Sequence, residues 1–98
     1  MAVYYIGSYD ILEMEEFKQY PPKVMALLPK YGGHVLASDI EATGLEGEPK
    51  TMNAIVRFPS KESALAFYND PEYQETIRPI RIKSTNNCTM LLVKEFKQ

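Results

Sequence analysis

Residues 51–68, TMNAIVRFPSKESALAFY, decide the architecture. Met52, Ala54, Val56 and Phe58 alternate with Asn53, Ile55 and Arg57, the period of two that a half-buried strand requires. Pro59 stops that strand because it has no N–H to give a ladder. Ser60 then stands where a helix needs a side-chain oxygen to accept from its first free N–H groups. Ala64, Leu65, Phe67 and Tyr68 supply the apolar face of the helix that follows. One strand feeds one helix across a two-residue corner.

The same alternation of elements extends in both directions. Upstream, Val3 to Tyr9 is rich in β-branched and aromatic residues and predicts a strand. Asp10-Ile11-Leu12-Glu13 has the spacing of a capping box, with Met14, Phe17 and Tyr20 recurring at three-residue steps behind it. Pro21-Pro22 interrupts this helix, Val24, Met25, Leu27 and Leu28 resume it, and Pro29 shortens its last turn. Gly32-Gly33 ends it by supplying positive φ. His34 to Ala37 predicts a second strand, and Ser38 to Lys50 a hairpin connection or a ragged strand. Downstream, Asp70-Pro71 opens a further helical turn with Tyr73 and Ile77 as its i, i+4 apolar pair, and Pro79 is expected to end it. Cys88 to Phe96 predicts the last strand.

The order β-α-β-β-α-β over a single domain, residues 1–98, is the split βαβ motif: an α+β, ferredoxin-like antiparallel sheet with two helical crossovers on one face. Right-handed crossovers put strands one and three side by side in the centre. Both sheet faces carry apolar residues. Val3, Tyr5 and Tyr9 oppose Tyr4 and Ile6, and Met90 and Leu92 oppose Leu91 and Val93. Two helical layers cover one face only, so a second copy of the chain is the simplest cover for the other. That predicts a homodimer built as a dimeric α/β barrel, with long loops as the alternative cover.

Composition narrows the function classes. A net charge of −2 and a pI near 5.4 argue against a nucleic-acid binder, which normally shows a basic stripe. The single Cys88 cannot form an intramolecular disulfide. No apolar run approaches the roughly 18 residues that span a bilayer, and the first nine residues lack a basic leader region. The expectation is a cytoplasmic protein without a membrane partner.

Five residues are candidates for ligand binding. His34 is the chain's one histidine, the residue type most used as a general base. Asn53 and Arg57 share the strand face opposite the core, where an enclosed guanidinium needs a carboxylate such as Glu46 or a bound anion. Arg81 belongs with Arg78 and Lys83 to a small basic cluster that reads alone as a solvated face. Tyr73, like Tyr4, Tyr5 and Tyr68, offers ring area and a hydroxyl, and also reads as a packing anchor. One histidine among scattered carboxylates has no metal-ligand spacing, so neither metal nor cofactor is expected. Cys88, without a basic neighbour in sequence, reads as a small hydrophobe.

Tyr4, Ile6, Asp10, Phe17, Tyr20, Gly32-Gly33, Leu45-Glu46-Gly47, Phe58-Pro59-Ser60, Ala64, Tyr68, Pro71-Glu72-Tyr73-Gln74 and Arg81 together resemble the domain-of-unknown-function family 1330. The likeness covers nearly the whole chain and implies the dimeric α/β-barrel fold. Tyr31 and His34 stand where the family commonly has a histidine and an arginine around the glycine pair, and the further glycine pair near Ser38-Asp39 is absent. The function expected is a small homodimer binding a small, partly apolar, anionic organic molecule. Whether it transforms that molecule without a cofactor is left open by the sequence. The alternative is a non-enzymatic structural or protein-interaction dimer with no occupied pocket.

Overall fold

The computed structural model describes residues 1–97. Strand β1 (Val3–Ile11) carries the register of the sheet, pairing antiparallel with β3 (Met52–Phe58) on one side and β4 (Thr85–Lys94) on the other. Strand β2 (His34–Asp39) lies outside β3, giving the order β2-β3-β1-β4 with strands one and three in the centre. Helices α1 (Met14–Phe17), α2 (Tyr20–Leu27), α3 (Lys61–Tyr68) and α4 (Arg78–Ser84) complete the α+β, ferredoxin-like fold. The core sits between them and one sheet face: Val3, Tyr9, Met52, Val56 and Phe58 meet Phe17, Tyr20, Leu27, Phe67, Tyr73 and Ile77. Aromatic rings dominate it, with Phe67 5.0 Å from Tyr73 and 5.5 Å from Phe58 between ring centres.

Local chemistry explains where the elements begin and end. Ser60 caps α3, its hydroxyl accepting from the Ser63 N–H at 3.1 Å. Pro21 and Pro22 occupy the first turn of α2, where a missing N–H costs nothing. Pro29 tightens the end of α2 into a 3-10 turn, Leu28–Tyr31, and Gly32 closes it with φ of 70°. Gly33 serves a different need. A Cβ there would fall 2.7 Å from Leu28 Cδ2 and 2.9 Å from Phe58 Cε1, both buried. Gly33→Ala is therefore expected to destabilise the fold by about 1–3 kcal/mol, read as a lower urea midpoint at an unchanged slope.

Three expectations at element ends are corrected. No capping box forms at Asp10, because β1 runs on to Ile11 and α1 is a single turn without a side-chain cap. Asp10 instead accepts from the Thr51 N–H at 3.1 Å and from Asn87 Nδ2 at 3.3 Å, bonds that hold its carboxyl below the usual range. Strand β4 starts three residues before Cys88. Pro79 does not end the helix. A π-helical turn, Tyr73–Ile77, widens the chain just ahead of it, and the proline enters within the first turn of α4. The helix continues to Ser84, and this carries Arg81 inward.

Asp70 ties the two crossovers together. Its carboxylate accepts from the Tyr31 hydroxyl, from the Glu72 N–H at 2.7 Å and from Lys30 Nζ at 3.4 Å. The Tyr31 bond is the main reason the carboxyl sits below its ordinary value, with burial opposing it. A carboxyl lowered by folding stabilises the native state fully above its unfolded pKa of about 3.9. That contribution disappears as pH falls through the lower folded value. Asp70→Asn is expected to lower stability at neutral pH and to converge on wild type toward pH 2, a difference that urea titrations across the acid range would measure.

Candidate functional site

The register sorts the five candidate residues onto opposite sides of the sheet. His34, Asn53 and Arg57 lie on the open face, and Tyr73 and Arg81 lie behind it among the helices. On the open face, His34 pairs across to Arg57, Arg57 to Tyr4 and Tyr4 to Val93, forming one row. The next row inward is apolar: Ala37, Ile55, Ile6 and Leu91. Leu91 and Val93 are 48% and 40% exposed, which marks the face as uncovered within one chain. Asn53 is absorbed locally, accepting from Ser8 Oγ at 3.0 Å and donating to the Lys50 carbonyl at 2.9 Å. Arg57 has no ion-pair partner among the described residues, Glu46 included.

The chemistry behind the sheet is denser. Tyr73 is fully buried, and its hydroxyl oxygen lies 2.7 Å from that of Tyr20. The Tyr5 hydroxyl is buried without a partner. Arg81 is 2% exposed, donates from Nη1 to Cys88 Sγ at 3.1 Å and stands 5.9 Å from the centre of the Tyr9 ring. Its Nε is buried without a partner, and no carboxylate pairs with it among the described residues. Burial pushes the Tyr5, Tyr9 and Tyr20 hydroxyls well up, so each is a neutral phenol at working pH. Burial works against the Arg81 charge and the neighbouring Tyr73, Tyr20 and Cys88 favour it, so the guanidinium stays protonated with no carboxylate beside it among the described residues.

Tyr5, Tyr9 and Tyr20 border a void, and Arg81 and Tyr73 lie outside its lining. A cavity of about 60 Å³ lies between sheet and helices, walled by Tyr5, Gly7, Tyr9, Tyr20, Phe67 and Met90 among others. A cleft of about 130 Å³ toward α2 and β2 shares Tyr9, Tyr20 and Val24 with it, and apart from Ser38 is otherwise lined by apolar side chains such as Met25, Val35 and Met52. A second cleft, about 280 Å³, lies against α3 and β4 and shares Tyr5 and Met90. Gly7 keeps the middle open, since a Cβ there would fall 2.9 Å from Met90 Sδ. The cavity offers neutral hydroxyls and apolar walls, with the Arg81 guanidinium close behind the Tyr9 ring rather than in its lining; together these groups could hold a carboxylate or an enolate. Among the described residues no three His, Cys, Asp or Glu side chains gather as a metal would need.

Arg78, Arg81 and Lys83 do not form the solvated basic cluster expected. Arg81 is in the core, the Arg78 Nε is buried, and exposed Lys83 reaches Glu16 at 3.8 Å. Cys88 has a basic neighbour after all, supplied by the fold. Tyr9 and Tyr20 were not among the residues singled out by the sequence as site candidates. A signal for the group existed: Tyr73, Ile77, Arg81 and Ser84 follow one helical stripe once the helix is allowed through Pro79.

No protein of curated function matches the chain in sequence. Among solved structures, a protein of unknown function from Rhodopseudomonas palustris superposes with a TM-score of 0.79 at 16% identity, over 99% of this chain and 84% of that one. A dimeric protein of unknown function and ferredoxin-like fold from Bacteroides fragilis gives 0.67 at 13%, over 96% of each chain. A NIPSNAP-like domain protein from Burkholderia xenovorans gives 0.64 at 14%, over 97% of this chain and 85% of that one. At such identities the likeness speaks to the fold alone. The family model described as Domain of unknown function (DUF1330) matches residues 2–96, and the chain belongs to that family.

Proposed function

We propose that the cavity behind the sheet binds a small, partly apolar organic anion, and that the working unit is a homodimer joined through the open sheet faces. One observation carries the ligand reading. A guanidinium taken out of water without an anion is unfavourable by several kcal/mol, about the effective penalty for one buried ion, and Arg81 is in that state. A carboxylate head accepting from Arg81 Nε and the Tyr5 hydroxyl would satisfy both unpartnered donors. Its apolar body would extend into the cleft between α2 and β2, past Tyr9 and Tyr20.

The dimer reading has its own support. The chain exposes 6327 Å², against roughly 5,700 Å² expected for a compact monomer of its mass. An apolar row lies on the open face, with Leu91 exposed in it, and the Bacteroides fragilis neighbour is described as dimeric. Arg57 and His34 then belong to the dimer interior rather than to the cavity behind the sheet.

A thermal-shift series with benzoate and phenylacetate against benzamide tests the ligand reading, because a ligand that binds only the native state raises its melting temperature. The carboxylates are expected to shift it in proportion to the logarithm of concentration, and the neutral amide not. If all three leave it unmoved, the site does not take aromatic anions. The enclosed cavity's small size, about 60 Å³, favours the competing reading of a structural dimer with no occupied pocket, and that reading predicts this flat outcome.

A further inference from the structure

Cys88 stands at the irregular stretch of β4, where pairing with β1 shifts between Ser8 and Asp10 and where neighbouring Asn87 takes φ of 56°. The residue is exposed, yet its Sγ accepts a hydrogen bond from Arg81 Nη1 at 3.1 Å. Arg81 is itself withdrawn from solvent, has no carboxylate partner among the described residues, and keeps Nε free. A solvent-reachable soft nucleophile therefore touches a buried cation that lacks a counter-ion. An uncompensated buried guanidinium calls for an anion, and the sulfur beside it is the nearest atom on this chain that oxidation would convert into one.

We propose that Cys88 is a redox-modification site, oxidised by hydrogen peroxide to a sulfenate whose charge Arg81 holds. In the step, the sulfur attacks one peroxide oxygen, the S–O bond forms and the O–O bond breaks. The displaced hydroxide takes up the thiol proton and leaves as water. Sulfur loses two electrons and the peroxide gains them. The sulfenic acid then gives its proton to solvent, and the sulfenate oxygen faces the guanidinium that the thiol faced before. This shares Arg81 with the anion-binding reading but does not depend on a ligand, and a sulfenate at Cys88 would compete with one for the same cation.

The test needs no ligand. Cys88 is the chain's single cysteine, so the mass of a carboxymethyl, carbamidomethyl or dimedone adduct, unlike that of methionine sulfoxide, reports on it. Native protein is expected to react with anionic iodoacetate faster, relative to neutral iodoacetamide, by several-fold over the same ratio measured in urea, where Arg81 is no longer beside the sulfur. Under hydrogen peroxide with dimedone present, the native thiol is expected to give a dimedone adduct, slowed several-fold in Arg81→Met and largely restored in Arg81→Lys. An iodoacetate preference equal in native and unfolded protein would overturn the proposal, and so would trapping as fast in a folded Arg81→Met as in wild type. The reagent ratio uses wild-type protein only, so it decides the matter even if the Arg81 variants do not fold.

Discussion

Arg81→Met is expected to make the unliganded protein more stable, by about 1–4 kcal/mol, while abolishing its response to benzoate. The two effects have one origin. Arg81 is 2% exposed, and among the described residues it has a thiol, a set of phenols and an aromatic ring around it but no carboxylate. Methionine fills a similar volume, needs no counter-ion and makes favourable sulfur contacts with the surrounding rings. At this chain length each kcal/mol moves the melting temperature by roughly 4–8 °C, so scanning calorimetry of the two proteins reads the gain easily. A loss of about 3–5 kcal/mol instead would mean that Arg81 is one half of a native pair whose removal strands the other half. That outcome would make the residue structural and remove the main support for an anion site.

Ile55→Glu is expected to turn a dimer into a monomer without unfolding it. Ile55 lies mid-row on the open face, between Ala37 of β2 and Ile6 of β1, with Leu91 beyond. Its side chain points away from the helices, so the core of Val56 and Phe58 on the other face is undisturbed. A carboxylate in the middle of two opposed apolar rows would be desolvated without a partner, which costs several kcal/mol and exceeds what a small interface can spare. Light scattering should give twice 11.2 kDa for wild type and 11.2 kDa for the variant, with matching circular dichroism. Wild type at 11.2 kDa in micromolar solution would sink the dimer.

The sheet was legible because strands advertise themselves by alternation. Met52 to Phe58 and Val3 to Tyr9 show their two faces in the sequence, and the Pro59-Ser60 corner announces the helix after it. Element ends were less legible because they depend on partners far along the chain. Asp10 looked like a cap but bonds to Thr51 and Asn87, 41 and 77 residues away. Pro79 looked like a stop because the rule that a proline breaks a helix presumes α-helical spacing, and the π-helical turn before it relaxes that spacing.

The candidate site was half legible for the same reason. Arg81 and Tyr73 could be picked out as residue types, but the burial of Arg81 follows from the helix surviving Pro79. Its contact with Cys88 follows from β4 starting at Thr85, which brings the strand back beneath α4. The sequence pattern put Asn53 and Arg57 on one strand face, and the strand pairing adds His34 beside Arg57 on the open face, a sheet's thickness from Arg81. Only the register separates the two groups, and register is a property of paired strands rather than of any one segment.

The most direct test of the anion site is the Arg81 Nε–H itself, followed by ¹H–¹⁵N NMR of arginine side chains as benzoate is added. The resonance is assigned by its loss in Arg81→Lys. In the free protein this donor has no partner. The prediction is a saturable downfield shift of that proton with benzoate and no shift with benzamide, as the carboxylate takes the vacant hydrogen bond. A resonance that stays in place through millimolar benzoate, in protein that remains folded, would contradict it.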